Sequence, residues 1–208
     1  VGEDAYFLAW TTTPWTLPSN LALCVNPEIT YVKVKQGDYT YYMAKELCEK
    51  VLGEDYTILE EMPGKSLEYK EYEPLYPYAL NKLNGKKAFI VTCDDYVTTT
   101  DGSGIVHMAP AFGEDDSRVC REYGIAFVQF VDAKGCMTAD TDWPGVFVKK
   151  ADPKILKDLE EKGLLFSAPN FEHSYPHCWR CDTPLIYYAR ESWFIKMTAV
   201  KDDLIRNN

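Results

Sequence analysis

Apolar and polar residues alternate over several short stretches of the chain, which predicts a protein built mainly from short strands. We expect strands at residues 6–12, 21–25, 31–35, 39–43, 56–60, 87–92, 104–108 and 125–132. The third and fourth of these flank Gln36-Gly37-Asp38, so they are predicted to pair as a hairpin. Pro14 and Pro18 lie between the first two strands, where they limit any hydrogen-bonded ladder.

Helical spacing of apolar residues occurs in three segments, at residues 44–52, 114–123 and 152–162. The third is predicted to begin with Asp152 as its N-cap and Pro153 at its first helical position. Many short strands with a few short helices indicate an α+β domain that is mainly β and barrel-like. No strand–helix–strand unit repeats, so a doubly wound sheet is not expected.

The length of 208 residues allows one large domain or two small ones, with enough chain to bury a sizeable core. Apolar residues make up 46% of the chain, and no apolar run approaches the length of a membrane span, so no membrane partner is expected. The first ten residues, VGEDAYFLAW, have neither the basic region nor the cleavage site of a signal peptide. They begin without Met and almost inside a predicted strand, which indicates an excised fragment rather than a natural start.

The formal net charge of −10 argues against a broad surface that follows phosphates, because such surfaces are basic. It leaves room for a short contact with one end of a nucleic acid. The seven cysteines are an odd number without a regular disulfide framework, which indicates a reducing compartment and mostly buried, inert thiols. The cytoplasm is therefore the expected location.

A threonine-rich segment, TTTPWT at residues 11–16, is the first candidate for chemistry. One interpretation is structural: β-branched threonines finish a strand, and their hydroxyl groups cap the turn that follows. The other is functional: hydroxyl groups in a row line a pocket, where they bind a water molecule or a ribose. The spacing alone favours the structural interpretation.

The second candidate is the segment TTTDGSGIVHMAPAFGEDD at residues 98–116. Its first two glycines permit a tight turn or a close approach of the backbone to a ligand. His107 follows a strand-like run and is either a hydrogen-bonded core residue or a working group. Complementarity to a helix dipole explains the acidic residues 114–116. However, His107, the Pro/Gly turn and Asp116 can also converge on one cavity.

Cys178 and Cys181, within HSYPHCWRCDTP at residues 173–184, have the spacing of half a tetrahedral zinc site. A complete site needs two more ligands, and the spacing of His173 and His177 to the cysteines is not that of a familiar site. The alternative is a pair of reduced thiols in a turn. A redox role is not favoured, because no thioredoxin-like βαβ unit surrounds the pair.

Common signatures of nucleotide-binding and hydrolytic sites (P-loop, GxGxxG, GxSxG, HExxH) are missing from the sequence. Three segments instead resemble, in order, the editing domains of class I aminoacyl-tRNA synthetases. TTTPWTLPSNLAL is similar to the threonine-rich segment of the isoleucyl members. GSGIVHMAPAFGEDD resembles the family's GTG-x-VH-x-AP-x-x-G-x-x-D segment, with Ser103 in place of the usual Thr. HSYPHCWRCDTPLIYYARESWF is similar to the segment in which the chain leaves the editing insertion.

The resemblance implies a β-barrel-rich editing domain with a few short peripheral helices at residues 1–170. It also implies that residues 171–208 return toward a synthetase catalytic core while packing on the same domain. The implied activity is hydrolysis of the ester in Val-tRNA(Ile), with no cofactor for that step. The HIGH and KMSKS signatures of amino-acid activation are missing, so ATP and Mg²⁺ would serve the catalytic core and not this chain. Zinc is expected only with the partner cysteines that precede the insertion in the family.

Residue roles follow from the positions that match the family's motifs. Asp116 matches the carboxylate that holds the α-ammonium group of the substrate. Thr11, Thr12 and Thr13 match a row of hydroxyl groups around the terminal adenosine and the reacting ester. The remaining matches concern the walls and shape of the substrate pocket: His107, Trp15, Thr16, Pro110, Phe112 and Gly104.

The expected partners are the 3′ CCA end of tRNA(Ile) carrying Val and the rest of the synthetase chain, with this chain itself monomeric. Two alternatives remain open at this point. One is a module that grips the tRNA acceptor end without hydrolysis, and deacylation of Val-tRNA(Ile) would separate it. The other is a free-standing hydrolase of small esters, which a requirement for the tRNA 3′ end would exclude.

Overall fold

The structure, a computed structural model, describes residues 2–169 and 175–207. Its strands are β1 (Tyr6–Phe7), β2 (Ala22–Val25), β3 (Thr30–Gln36), β4 (Tyr39–Ala44), β5 (Thr57–Pro63), β6 (Ile90–Cys93) and β7 (Val106–Met108). Its α-helices are α1 (Cys48–Leu52), α2 (Glu114–Glu122), α3 (Val148–Glu161) and α4 (Lys201–Asn207). Short 3-10 helices cover Pro14–Ser19, Lys45–Leu47, Gly64–Leu67, Pro77–Lys82 and Met197–Ala199.

The strands form two sheets, and the α+β class predicted from the sequence is confirmed. The first sheet has the order β1-β4-β3-β5, and the second has the order β6-β2-β7. They meet along a seam, where the Trp10 N–H donates to the Ile105 carbonyl oxygen at 3.0 Å and the Ala44 N–H donates to the Ser103 carbonyl oxygen at 2.9 Å. Within the described residues, these are two open sheets joined at one edge rather than a closed barrel.

A buried core fills the space between the sheets, and the sheets approach closely at Gly104. Tyr31, Val32 and Val34 of β3 pack in this core with Val25 and Val91 of the second sheet. Gly104 has φ +76°, and a Cβ there would lie 2.4 Å from the Ala44 Cβ. Glycine is therefore required at position 104 by packing of the sheets and by backbone conformation.

Two predicted strands differ from the structure because the chain changes partners. The segment 6–12 pairs with β4 only at Tyr6–Phe7 before crossing to β7, where Trp10 bridges Val106. The segment 125–132 forms isolated bridges at its two ends instead of a continuous ladder. The prediction of a strand over 125–132 was wrong, although alternate side chains in it are buried.

Helix α3 begins at Val148, four residues before the predicted start. Val148 and Ala151 are fully buried, so core packing extends the helix toward its N-terminus. Asp152 is therefore not the N-cap of its own helix, and Pro153 lies inside the helix rather than at its first position. The Asp152 carboxylate instead accepts a hydrogen bond from the Trp15 backbone N–H at 2.8 Å.

The segment 175–207 is largely exposed and contacts the preceding residues at a few points. The Ala189 N–H donates to the Ala111 carbonyl oxygen at 2.6 Å, and Lys149 lies over the Tyr175 ring. Trp193 is fully exposed. The predicted boundary at 170/171 and His173 lie outside the described residues. Among the described helices, none has both the length and the apolar character needed to cross a bilayer.

Candidate active site

A cavity of about 210 Å³ opens where the segment after β1 meets β7 and the start of α2. It is lined by Trp10, Thr11, Thr12, Thr13, Thr16, Val106, His107, Ala109, Phe112 and Asp116. Residues from two distant parts of the chain meet here because β2 pairs antiparallel with β7, with Leu23 opposite His107. The threonine-rich turn, residues 11–16, precedes β2 by the short stretch 17–21 and contacts β7 through Thr16 and His107.

The threonine-rich turn is held by its own hydroxyl groups. The Thr13 N–H donates to Thr11 Oγ1 at 3.1 Å, and Thr16 Oγ1 donates to the Thr13 carbonyl oxygen at 2.8 Å. Pro14 suits the first position of the 3-10 helix, since its φ is fixed and no N–H is needed there. Asp152 then satisfies the next N–H, that of Trp15. The structural interpretation of these threonines therefore holds for Thr11 and Thr16.

Thr12 differs from its neighbours because its side chain is exposed to the cavity. Within the described part of the chain its hydroxyl group makes no hydrogen bond, so its donor and both of its lone pairs are available. Thr13 Oγ1 lies 3.3 Å from both Thr11 Oγ1 and Thr16 Oγ1. The turn thus combines a self-bonded row, in which Thr11, Thr13 and Thr16 contact one another, with the free hydroxyl group of Thr12.

His107 is 7% exposed, and both of its ring nitrogens have protein partners. The Asn20 amide nitrogen lies 2.8 Å from Nδ1, and Thr16 Oγ1 lies 2.9 Å from Nε2. Burial lowers the pKa of the imidazole to about 4, so the ring is neutral at physiological pH. A neutral ring with both nitrogens engaged positions its neighbours and is not poised to act as a base.

Asp116 lies in the first turn of α2, and its side chain points back toward the cavity that it lines. Its Oδ2 accepts a hydrogen bond from the Ala109 N–H at 2.8 Å, and the carboxylate has further acceptor capacity. Burial raises the pKa of Asp116 to about 6, and the carboxylate is still ionised at neutral pH. Among the described residues, no cationic side chain lowers this pKa. Gly113 makes room for this conformation, since a Cβ there would lie 2.8 Å from Asp116 Cγ.

The sequence is similar along nearly its whole length to isoleucine–tRNA ligases. It is 51% identical to the ligase of Clostridium novyi over 207 residues, covering 99% of this chain and 20% of that relative. The ligase of Thermus thermophilus is 48% identical over 206 residues, covering 99% of this chain and 19% of the relative. The chain thus spans about a fifth of the length of the curated relatives it matches. No protein-family model matches the sequence.

The fold resembles that of leucyl-tRNA synthetase editing domains. The crystal structure of GlLeuRS-CP1 has a TM-score of 0.64 at 16% identity, covering 81% of this chain and 87% of that chain. The editing domain of the P. knowlesi cytosolic leucyl-tRNA synthetase has a TM-score of 0.55 at 14% identity, covering 75% and 81%. The chain corresponds to one segment of the isoleucine–tRNA ligases, and its fold is similar to that of these editing domains.

The structure brings together most of the residues that the sequence singled out, but not three of them. Thr11, Thr12, Thr13, Thr16, His107, Phe112 and Asp116 line one cavity. Trp15, Pro110 and Gly104 do not line it. Trp15 is buried behind the wall, with its ring 5.0 Å from that of Phe112 in an edge-on contact, and Pro110 is buried. Gly104 lies outside the lining of the cavity, and its packing against Ala44 accounts for a glycine at this position.

Several residues of the site were not found from the sequence. Trp10, Val106 and Ala109 line the cavity, while Asn20 and Asp152 hold His107 and the threonine-rich turn from outside it. Trp10 directly precedes the threonines, and its position beside them was an available signal. Asn20 lies within the segment TTTPWTLPSNLAL that carries the family resemblance, although no role was assigned to it there. Asp152 offered a misleading signal, because it had the appearance of an N-cap.

Cys178 and Cys181 form a tight turn in the exposed segment. The Cys178 N–H donates to the Thr183 carbonyl oxygen at 2.9 Å, and the Asp182 N–H donates to the Cys178 carbonyl oxygen at 2.8 Å. Among the described residues, no group of three or more His, Cys, Asp or Glu side chains could hold a metal ion. Two thiolates provide half of a tetrahedral zinc set, so two further ligands would be needed.

Proposed function

We propose that the chain is a post-transfer editing esterase, which hydrolyses the ester bond of Val-tRNA(Ile). One observation carries this function: the Asp116 carboxylate and the threonine hydroxyl groups line the same small cavity. An aminoacyl ester carries a cationic ammonium group next to its carbonyl carbon, and this cavity offers an anion and hydroxyl groups side by side. Asp116 would hold the ammonium group, with a contact of roughly 1.5–3 kcal/mol because both groups are charged.

The size of the cavity supports a small aminoacyl group. Its volume of about 210 Å³ is below the ~300–1,000 Å³ of pockets that hold drug-sized ligands. Ile and Val differ by one methylene, which a single binding pocket distinguishes by only about 10- to 200-fold. A second pocket that admits Val and excludes Ile would multiply this discrimination. Phe112 and His107 would set the limit, since both line the cavity and both are held by packing or hydrogen bonds.

The reaction is proposed to use a positioned water molecule rather than a covalent intermediate. The water oxygen attacks the carbonyl carbon, the bond from that carbon to the ribose oxygen breaks, and the ribose oxygen takes up a proton. His107 is neutral and engaged at both nitrogens, and the pKa of threonine is too high for it to act as a general base. Thr11, Thr12 and Thr13 would therefore act by positioning, with the substrate's own ribose hydroxyl assisting.

The proposed partners are the 3′ CCA end of tRNA(Ile) and the remaining part of a ligase chain. The net charge of −10 predicts weak affinity of this segment for RNA by itself, so the rest of the ligase would supply most of the tRNA binding. Amino-acid activation with ATP and Mg²⁺ would also belong to that remainder. We propose the cytoplasm as the place of action and a monomeric state for the segment.

The test is hydrolysis of matched substrates by the purified chain. Val-tRNA(Ile) and Ile-tRNA(Ile) are incubated with the chain, and release of each amino acid is measured against the spontaneous rate. We expect faster hydrolysis of Val-tRNA(Ile) only. Binding without hydrolysis would indicate an acceptor-end binding module, and equal hydrolysis of a small valyl ester without tRNA would indicate a general esterase.

A further inference from the structure

A continuous chain of hydrogen bonds runs behind the threonine-rich turn and ends at Tyr72. Tyr72 Oη donates to Asn20 Oδ1 at 2.6 Å, and the Asn20 amide nitrogen contacts His107 Nδ1 at 2.8 Å. His107 Nε2 in turn contacts Thr16 Oγ1 at 2.9 Å. Tyr72, Asn20 and His107 also line a second cavity, of about 820 Å³, and His107 lines both cavities.

The partners of Asn20 fix the orientation of its amide group. Its nitrogen donates one hydrogen to the Ala22 carbonyl oxygen at 2.9 Å, while the Met108 carbonyl oxygen lies farther away at 3.4 Å, so the second hydrogen is available to His107. Tyr72 donates to the amide oxygen on the other side. The amide nitrogen therefore faces His107 as a donor, and Nδ1 of His107 must accept. The neutral ring consequently carries its proton on Nε2.

This tautomer determines where the threonine hydroxyl hydrogens point. Thr16 has one hydroxyl hydrogen, and it is used at the Thr13 carbonyl oxygen, so Thr16 Oγ1 accepts from His107. The 3.3 Å contact between Thr16 and Thr13 must then be a donation from Thr13, and the 3.3 Å contact between Thr13 and Thr11 a donation from Thr11. Each hydroxyl hydrogen of the row is thus committed within the turn.

The same count leaves one free lone pair on Thr11 Oγ1 and one on Thr13 Oγ1. Thr16 Oγ1 has none, because it accepts from both His107 and Thr13. The self-bonded row of Thr11, Thr13 and Thr16 therefore offers acceptors to the cavity, whereas the free hydroxyl group of Thr12 beside it can still donate. A water molecule that donates its hydrogens to such acceptors keeps its own lone pair free for attack on a carbonyl carbon.

We propose that Tyr72 is a positioning residue, which acts through Asn20 to hold His107 as the Nε2–H tautomer and so keeps the threonine row as an acceptor site for the attacking water. Its effect on catalysis rests on the proposed function, whereas its effect on the tautomer does not. Tyr72 is suited to this test because its ring is held independently of its hydroxyl group. It makes edge-on contacts with Phe7 at 6.3 Å and with Phe89 at 6.0 Å between ring centroids, so Tyr72→Phe retains the packing.

The experiment measures the imidazole nitrogen resonances of the ¹⁵N-labelled chain at neutral pH, with His107 assigned by substitution of the two other histidines. The wild-type chain is expected to show the Nε2–H tautomer and a Tyr72 hydroxyl proton protected from solvent exchange. Tyr72→Phe leaves only the backbone carbonyl oxygens of Ala22 and Met108 to orient the Asn20 amide, so it is expected to give a minor, measurable population of the Nδ1–H tautomer. It should also slow hydrolysis of Val-tRNA(Ile) by about tenfold at unchanged KM, the rate equivalent of one neutral hydrogen bond.

Tyr78→Phe is the matched control, because it removes a hydroxyl group that donates to Asp142 at 2.7 Å, away from both His107 and the cavity. It should change neither the tautomer nor the rate. An Nδ1–H tautomer in the wild-type chain, or an unprotected Tyr72 hydroxyl proton, would overturn the proposal without any variant. An unchanged tautomer in Tyr72→Phe would overturn it as well. Absence of hydrolysis by the wild-type chain would count against the proposed function alone, since the tautomer is measured without substrate.

Discussion

Ala109 donates its backbone N–H to Asp116 Oδ2 at 2.8 Å, so the end of β7 holds the carboxylate at the start of α2. The two residues lie seven positions apart in the chain, and the turn between them brings the Asp116 side chain back over the cavity. One hydrogen bond fixes the carboxylate without neutralising it. The group is therefore an oriented anion in a partly buried place, which is the arrangement that an ammonium group would favour.

Replacing this anion should reduce the proposed activity and leave the fold intact. Asp116→Asn keeps the shape and one acceptor oxygen but loses the charge, so we expect hydrolysis of Val-tRNA(Ile) to slow by about 10- to 100-fold. Asp115→Asn is the control, because it removes the same charge one residue earlier, where the side chain is exposed and pairs with Arg118. Single-turnover rates measure both, and equal losses in the two variants would contradict the anchoring role.

The pH dependence of hydrolysis should show an acid limb near pH 6. Activity requires the ionised carboxylate, and the pKa of Asp116 is raised to about 6. His107 stays neutral through this range, because its pKa is lowered to about 4. Rates measured from pH 5 to pH 8 should therefore fall below pH 6. If the limb persisted in Asp116→Asn at the same pH, another group would be responsible for it.

The contribution of Asp116 to the free energy of unfolding should change with pH in the opposite direction to its contribution to activity. The raised pKa means that the folded chain binds this proton more tightly than the unfolded chain, so the stabilisation is present below about pH 4 and is lost as pH rises through 6. We expect Asp116→Asn to be more stable than the wild type at pH 7, by about 1–2 kcal/mol after allowance for partial exposure. Urea denaturation at pH 4 should show little difference, and a constant difference at both pH values would refute the assignment.

Gly113→Ala should disturb Asp116 through a steric contact. The new Cβ would lie 2.8 Å from Asp116 Cγ, which forces the carboxylate away from the Ala109 N–H. The backbone at Gly113, with φ −147° and ψ 141°, is one that alanine adopts readily, so the fold should persist. We expect a raised KM for Val-tRNA(Ile), together with a pKa of Asp116 closer to its ordinary value. Carbon NMR titration measures that pKa, and an unchanged value would rule out the displacement.

Asp152 should matter to the threonine-rich turn more than to its own helix. Asp152→Ala removes the acceptor of the Trp15 N–H and should reduce the free energy of unfolding by about 1–2 kcal/mol. It should also slow hydrolysis, since the turn carries the cavity's hydroxyl groups. Asp152→Asn retains an acceptor oxygen and should preserve most of both properties. Thermal unfolding and hydrolysis rates together test this, and equal effects of Ala and Asn would point to a loss of charge instead.

Thr12 and Thr16 should separate activity from stability. Thr12→Ala is expected to slow hydrolysis while changing stability by less than about 0.5 kcal/mol, because the side chain is exposed and makes no hydrogen bond within the described residues. Thr16→Val leaves the His107 Nε2–H without a partner in a buried place, which should cost about 1–3 kcal/mol. Denaturation and hydrolysis of both variants measure the contrast. Similar losses of stability would show that the two threonines have similar roles.

Local sequence patterns predicted the helices and strands that are stabilised by residues close to them in the sequence. The helix at 114–123 and the hairpin of β3 and β4 agree with the structure to within one or two residues. The segment 125–132 was misjudged because alternation of apolar residues reports burial and not hydrogen bonding. Ala126, Val128 and Phe130 are buried in it, yet no continuous ladder forms.

Contacts between distant residues could not be predicted in this way. The pairing of β2 with β7 places His107 beside the threonine-rich turn, but β7 has only three residues, too few for a clear period. Motif resemblance indicated that His107 and Asp116 belong with the threonines. It included Asn20 in the threonine-rich segment without giving it a role, and it did not include Tyr72, since the importance of both arises from hydrogen bonds that cross between elements.

The hydrogen bond between Trp15 and Asp152 joins residues 137 positions apart in the chain. Every strand of both sheets, and helix α2, precedes Asp152 in the sequence. During synthesis the sheets can therefore pair before the residue that caps the threonine-rich turn has left the ribosome. The ability to hydrolyse an ester should arise last, when α3 docks, so a chain truncated before α3 would keep the threonines but lack their fixed arrangement.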